Sequence, residues 1–467
     1  MLALGLWLLT HRYQDGEFRH GAAPGTGVVR RGVGSIEHGR RFSRGLERGA
    51  RRAGPRRGAR MTAGAVAVTG LGVLSPAGID VEETWRGVCA GEQTAVTDPL
   101  LAELPAGFSS RVPDLPLTTG YGRRKRWRLD RSSQLAISAA EAAAADAGLE
   151  PGGWDATRVG VVLGTSLGGA QTWEAQHRKF LSDGPRAVSA ALLPMVMPNM
   201  PSGEVAMALD ARGPSMAVCT ACASGGTALA TAREWLLADA CDVVLAGGAE
   251  AAVTPLVAAG FQRVGALSRR TSEPAAASRP FAADRDGFVL GEGAGVLVLE
   301  RLEHARARGA APRALLAGAG TSTDAHHPTT PSPEGRVAEA AVREALASAG
   351  VTAADVDHVN AHGTSTPVGD ATEAALLARV FPQLPSTTSA KGSLGHPLGA
   401  AGAVEAALTV LTLQYGLVPP TANVDAADPE LEIDLVTKVA REQRVEVALS
   451  NSFGFGGQNA ALVLARA

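Results

Sequence analysis

Met216-Ala217-Val218-Cys219-Thr220-Ala221-Cys222-Ala223-Ser224-Gly225-Gly226 opens as an apolar strand, over residues 216–220, and turns into a run of small residues that suits a helix over 223–238. Asp242-Val243-Val244-Leu245-Ala246-Gly247-Gly248 then reads as a second strand. A strand, a sharp turn, a helix and another strand form the unit of an α/β fold. Outward from this unit the same grammar recurs. Strands are expected at residues 66–73 and 159–164, with an Ala-rich helix over 132–147 that stops at Gly148. Further on come strands at 356–360, 445–449 and 460–465, a helix from about Ala371 and a small-residue helix over 399–413. The strands are continuously apolar rather than alternating, so both sheet faces should be covered by helices. The order of elements fits a duplicated α/β unit with halves at 62–311 and 312–467.

Composition sets outer bounds. The chain has 467 residues with 45% hydrophobic and 19% charged, enough apolar material for a large core. No run of about 18 apolar residues suggests a membrane-spanning helix. Four cysteines without even spacing fit a reducing compartment, and a cytoplasmic location is expected. The net charge of −2 conceals a split: residues 1–60 carry +9 from 13 arginines against 4 acids, and the remainder carries −11. That arm lacks apolar periodicity and is expected to be disordered. A targeting segment or a nucleic-acid or membrane tail are alternatives. The favoured reading places the true start at Met61, with no nucleic-acid or membrane partner.

Chemistry concentrates in three places. Cys222 sits where strand becomes helix, so its sulfur meets the positive helix end, which favours thiolate. The competing readings are a structural thiol or a Cys219-x-x-Cys222 metal or redox pair, the latter lacking a second ligand pair; Cys219 itself reads as an ordinary buried strand residue. His362, in Asn360-Ala361-His362-Gly363-Thr364-Ser365-Thr366-Pro367, and His396, in Lys391-Gly392-Ser393-Leu394-Gly395-His396-Pro397, each follow a strand-like segment and are bounded by glycine. One thiolate with two neutral imidazoles suits thioester carbon chemistry, in which the sulfur holds an acyl group and N–H donors stabilise an enolate. Lys391 is one of only 4 lysines against 40 arginines, which marks its ammonium as specifically required. His326-His327 read as loop residues.

Several blocks together resemble the elongating β-ketoacyl-ACP synthases, condensing enzymes of the thiolase superfamily. They are Thr220-Ala221-Cys222-Ala223-Ser224-Gly225, the Val244 to Glu250 block, and Arg279-Pro280-Phe281 with Asp284-Arg285-Asp286-Gly287-Phe288-Val289-Leu290-Gly291-Glu292-Gly293. The His362 and Lys391–His396 blocks, the Gly399 to Glu405 block and Asn451-Ser452-Phe453-Gly454-Phe455-Gly456-Gly457 complete the set, spanning residues 66–464. The resemblance implies a thiolase fold, two pseudo-equivalent halves layered α-β-α-β-α. It implies an acyltransferase that accepts an acyl chain on Cys222 and condenses it with malonyl-ACP after decarboxylation. His362 and His396 would stabilise the enolate, Lys391 would pair with Glu405, and the N–H groups of Cys222 and Phe455 would form the oxyanion hole. Phe455 would gate the acyl pocket, Phe453 would support the site, and Thr364 and Thr366 would hold the pantetheine. No cofactor or metal is expected, because substrates ride on the phosphopantetheine of the acyl carrier protein. The partner would be that carrier protein, with a homodimer or a heterodimer with a chain-length partner subunit.

Two features depart from or extend this pattern. Trp173 stands in the segment that sets the bottom of the family's acyl pocket, where it would shorten the pocket or pack outside it. Arg123, Arg124, Lys125, Arg126 and Arg128 form the densest basic run of an otherwise acidic body and are read as a carrier-protein dock, with Arg186 and Arg263 contributing. Fatty-acid elongation leads, with a type II polyketide ketosynthase as the alternative. A non-catalytic chain-length subunit would lack Cys222, and a thiolase would use two cysteines with one histidine.

Overall fold

The computed structural model describes residues 65–115 and 126–467. The arm over residues 1–60 and the stretch holding Arg123, Arg124 and Lys125 lie outside the described residues. Eleven strands form the main sheet: β1 (Val66–Leu74), β2 (Val159–Gly164), β3 (Ser215–Val218), β4 (Val243–Glu250), β5 (Gly293–Arg301), β6 (Ala314–Thr323), β7 (His358–Asn360), β8 (Ser386–Thr388), β9 (Asp434–Leu435), β10 (Val447–Gly454) and β11 (Gln458–Ala465). Their order is β9-β8-β7-β10-β11-β6-β1-β5-β4-β2-β3. Strands β1–β5 lie together on one side and β6–β11 on the other. The two sets meet at one short antiparallel ladder, Val66↔Leu316, Ala67↔Leu315 and Val68↔Ala314, which joins the edges of two sheet layers, one in each half.

Helices cover the sheet in three layers: α1 (Arg131–Asp146), α2 (Ala170–Asp183), α3 (Met200–Leu209), α4 (Ser224–Leu237), α5 (Pro255–Arg263), α6 (Arg336–Ala349), α7 (Pro367–Val380) and α8 (Ala401–Tyr415). Successive strand residues point to opposite faces, and this alternation sorts the core. Val162, Val244, Ala246, Leu297 and Leu299 face α4 and α8 in the middle, whereas Val161, Val243, Leu245, Val296 and Val298 face α1 and α3 outside. In the other half Ala448, Leu462 and Leu464 face the middle, and Val447, Leu449, Ala461 and Val463 face α6 and α7. The result is helix, sheet, helix, sheet, helix, as the resemblance implies.

The middle helices approach closely because they carry glycine where they cross. A Cβ on Gly402 of α8 would fall 2.7 Å from the Gly226 nitrogen of α4 and 2.5 Å from Ser452 Oγ. Residues 398–415 are apolar and long enough to cross a membrane by composition, but that stretch is 89% buried as the core of this sandwich. One expectation is corrected: Cys219 is exposed, not a buried strand residue, because β3 ends at Val218 and is the edge strand of the sheet.

Candidate active site

Parallel strands deliver the site. β3 pairs parallel with β2, and β7 pairs parallel with β8 and β10. The segments carrying Cys222, His362, Lys391 and Phe455 leave the carboxyl ends of β3, β7, β8 and β10. Ligands of open α/β sheets bind outside strand carboxyl ends. Cys222, His362, His396, Phe453, Phe455, Thr364 and Thr366 all line one cavity of about 390 Å³, whose wall is mostly apolar.

Cys222 is held by a strained turn. Ala221 has φ 49°, a left-handed conformation that costs an L-residue about 1–2 kcal/mol. Ser224 braces the turn by accepting from the Thr220 N–H at 2.9 Å and donating to the Ala221 carbonyl at 2.6 Å. Burial pushes the Cys222 thiol up to about 12. The Lys391 charge and the N–H groups of Phe455 and of Cys222 itself pull the other way. The helix end read from the sequence as favouring thiolate is therefore outweighed, in the free protein, by desolvation. The Phe455 and Cys222 N–H groups favour the charged form of the sulfur, against that burial.

The histidines stand edge to face, with ring centroids 5.5 Å apart. Phe288 packs edge-on against His396 at 5.1 Å, and Phe453 packs against His362 at 5.8 Å. Burial, and then the Lys391 charge, hold both imidazoles well below the ordinary histidine value, so both are neutral at pH 7. Nδ1 of His362 and both ring nitrogens of His396 are buried without a hydrogen-bond partner among the described residues. Buried polar groups are ordinarily satisfied, and His362 and His396 both line the cavity, so these ring nitrogens are open to hydrogen-bond a group placed there.

Lys391 lies beneath the histidines, 1% exposed. Its ammonium donates to the His362 carbonyl at 2.6 Å and to Glu405 of α8. Burial pushes Glu405 up to about 7, and Lys391 opposes that rise. Two further carboxyls on α7 went unread in the sequence. Glu373 accepts from the N–H of His362 at 2.9 Å, from that of Gly363 at 2.8 Å and from Asn451 at 3.1 Å. Asp370 accepts from the Phe281 and Ser365 N–H groups at 2.7 and 3.1 Å. Both are buried, and together they fix the loop from His362 to Ser365. Phe261 and Phe288 also line the cavity, and Phe261 packs against Phe455 with centroids 6.0 Å apart.

The remaining expected residues divide between the cavity wall and the surface. Thr364 and Thr366 hydroxyls are 3.0 Å apart on the cavity wall. Trp173 is on α2, 59% exposed and not part of the cavity lining. Arg126 begins a short 3-10 turn, and Arg128 in the same turn sits over the Trp127 ring at 4.3 Å. Arg186 and Arg263 are exposed. Cys219 donates to the Ser166 carbonyl at 3.4 Å, and among the described residues no three His, Cys, Asp or Glu side chains gather as metal ligands.

Residues 63–305 match the description "Beta-ketoacyl synthase, N-terminal domain" and residues 313–425 "Beta-ketoacyl synthase, C-terminal domain". The chain is 41% identical over 408 residues to the 3-oxoacyl-[acyl-carrier-protein] synthase 2 of Vibrio cholerae, covering 86% of this chain and 99% of that one. A solved β-ketoacyl synthase from Burkholderia phymatum superposes with TM-score 0.81 at 33% identity, over 86% of this chain and 99% of that one. A solved complex of a type II polyketide synthase acyl-carrier protein with its ketosynthase, bound to the hexaketide, superposes with TM-score 0.80 at 30% identity and the same coverage. By its matching domains, its fold and its relatives, the chain belongs to the β-ketoacyl synthase family.

Proposed function

We propose that the chain is a 3-oxoacyl-[acyl-carrier-protein] synthase of fatty-acid elongation. The observation that carries this reading is the convergence of Cys222, His362 and His396 on one apolar cavity, with Lys391 buried behind them. Cys222 sulfur attacks the thioester carbonyl of an acyl carrier protein; the carrier thiol leaves with the proton, and the acyl group stays on Cys222. The N–H groups of Cys222 and Phe455 stabilise the oxyanion of this step. Malonyl-ACP then enters past Thr364 and Thr366. Its carboxylate departs as CO2, and the C–C electron pair becomes an enolate whose oxygen accepts from the neutral imidazoles of His362 and His396. The enolate carbon attacks the acyl thioester, the Cys222 thiolate leaves and takes a proton, and 3-oxoacyl-ACP is released. The apolar wall, including Phe261, Phe288 and Phe453, keeps the carbanion from water.

The strong similarity to a relative named for this activity supports fatty-acid elongation over polyketide assembly. The partner is the acyl carrier protein, whose phosphopantetheine carries both substrates, and the working location is the cytoplasm. A homodimer is supported by the unpaired edge of β3 and by exposed apolar side chains near it in sequence: Trp173, Phe180, Leu181, Leu193, Met207 and Met216. The test is intact-mass analysis after incubation with a panel of acyl-ACPs. Acylation should map to Cys222, and adding malonyl-ACP should discharge it as 3-oxoacyl-ACP. Acylation absent across the panel, or present in Cys222→Ala, overturns the reading.

A further inference from the structure

Glu250 closes β4, is wholly buried, and takes part in none of the steps above. Its Oε2 accepts from the Ser166 N–H at 2.5 Å and from the Gly399 N–H at 3.3 Å, and its Oε1 accepts from the Thr165 hydroxyl at 3.2 Å. Every one of these donors is neutral, and they come from two separate loops.

Those loops frame the reaction. The Thr165 carbonyl accepts from Ser224 at 3.3 Å and the Ser166 carbonyl from Cys219 at 3.4 Å, so this loop touches the chain on both sides of Cys222. Gly399 follows His396 by three residues, through Leu398 at φ 41°, a strained conformation for a residue with a Cβ. The loops are in tight contact: a Cβ on Gly399 would fall 2.5 Å from the Ser166 nitrogen and 2.8 Å from Glu250 Oε2. Nothing larger than glycine fits between the carboxyl and the loop it holds.

We propose that Glu250 is a positioning residue: its carboxyl clamps the loop beside Cys222 to the loop behind His396, and so sets the separation of nucleophile and enolate-stabilising group. This rests on the condensation proposed above. A buried carboxyl receiving several backbone N–H groups is a strong acceptor. Burial pushes Glu250 up to about 7 against those same N–H groups, and Cys222 in turn feels the carboxyl's charge. Misplacing reacting groups by a fraction of an ångström lowers the rate of chemistry without weakening docking.

Glu250→Gln tests this, because it keeps the shape and turns an NH2 toward N–H donors. In the dimeric full-length protein, kcat for condensation per acylatable Cys222, titrated by intact mass, should fall about tenfold or more, with KM for acyl-ACP and malonyl-ACP within about twofold of the parent. Thr165→Val, which removes one donor and keeps the volume, should show the same pattern more weakly and serves if Glu250→Gln does not fold. Unchanged kcat, or a loss fully explained by fewer acylatable sites, overturns the proposal. A parent protein that neither acylates nor condenses overturns the functional reading instead.

Discussion

The ammonium of Lys391 donates to the backbone carbonyl of His362 and to Glu405, which ties the His362 loop to the middle helix α8. Both charged groups are nearly inaccessible. Removing one partner of a buried pair leaves the other charge uncompensated, at a cost of about 3–5 kcal/mol. Lys391→Met should therefore lower the melting temperature sharply. Lys391→Met combined with Glu405→Leu should recover much of the stability, but not condensation, because the His362 carbonyl loses its donor. Calorimetry and turnover on the same samples check both halves of this expectation.

Three buried imidazoles, His358, His362 and His396, give stability a pH dependence of known sign. Their folded values lie well below 6.5, so the unfolded chain binds more protons as pH falls through that value, and stability is lost on acidification. Glu250, Glu405 and Asp370, each raised to about 7, and Glu373, also raised by burial, act with the opposite sign, losing stability as pH rises from the ordinary carboxylate range toward 7. The histidine part must therefore be read as a difference. Between pH 7.5 and 5.5, the parent should lose stability relative to His396→Asn. A parallel pair of melting curves across that range would count against neutral burial of His396.

Ala221 pays for the turn that presents Cys222. Ala221→Gly relieves the left-handed strain but gives the unfolded chain more freedom, so stability should change by no more than about 1 kcal/mol, with acylation retained. Ala221→Val adds a β-branched side chain at φ 49° and should cost about 2 kcal/mol or more while slowing acylation of Cys222. Denaturant unfolding and acylation kinetics of the two variants decide it.

Trp173 is exposed on α2 and away from the cavity. Trp173→Ala should leave acyl-chain preference unchanged and weaken dimerisation, read by sedimentation over a concentration series. A shift in chain preference would place the ring in the acyl channel of the assembled dimer instead.

Much of the site was readable because it lies at transitions between strand and loop. Cys222 and His362 sit beside small residues just after an apolar run, and Lys391 and His396 sit among glycine and other small residues, a local pattern visible without coordinates, although the strand ahead of Lys391, Ser386–Thr388, is polar. The carboxyls were not readable in this way. Asp370 and Glu373 lie within Pro367–Val380 and look like surface charges of a helix; their burial comes from the loop just ahead of that helix, which folds back to bring the His362, Gly363 and Ser365 N–H groups to them, and from Phe281, 89 residues from Asp370. Glu250 ends an apolar block that reads as a strand, but its partners Ser166 and Gly399 are remote from it and from each other in sequence. Cys219 failed for a complementary reason: whether a strand lies at the centre or the edge of a sheet is a matter of tertiary order, and β3 is an edge.

The crossing of α4 and α8 constrains how such a chain can be recombined. The Cys222 turn leads into α4, the loop carrying Lys391 and His396 leads into α8, and Gly402 meets Gly226 with no room for a methyl group. A chimaera joined between β5 and β6, taking one half from a relative, would graft chemically complete segments onto mismatched helix surfaces. Exchange of substrate preference between family members should therefore succeed only where both central helices travel together, or where the incoming helix keeps glycine at the crossing. The natural unit of inheritance is the crossed pair, and neither half is a free cassette.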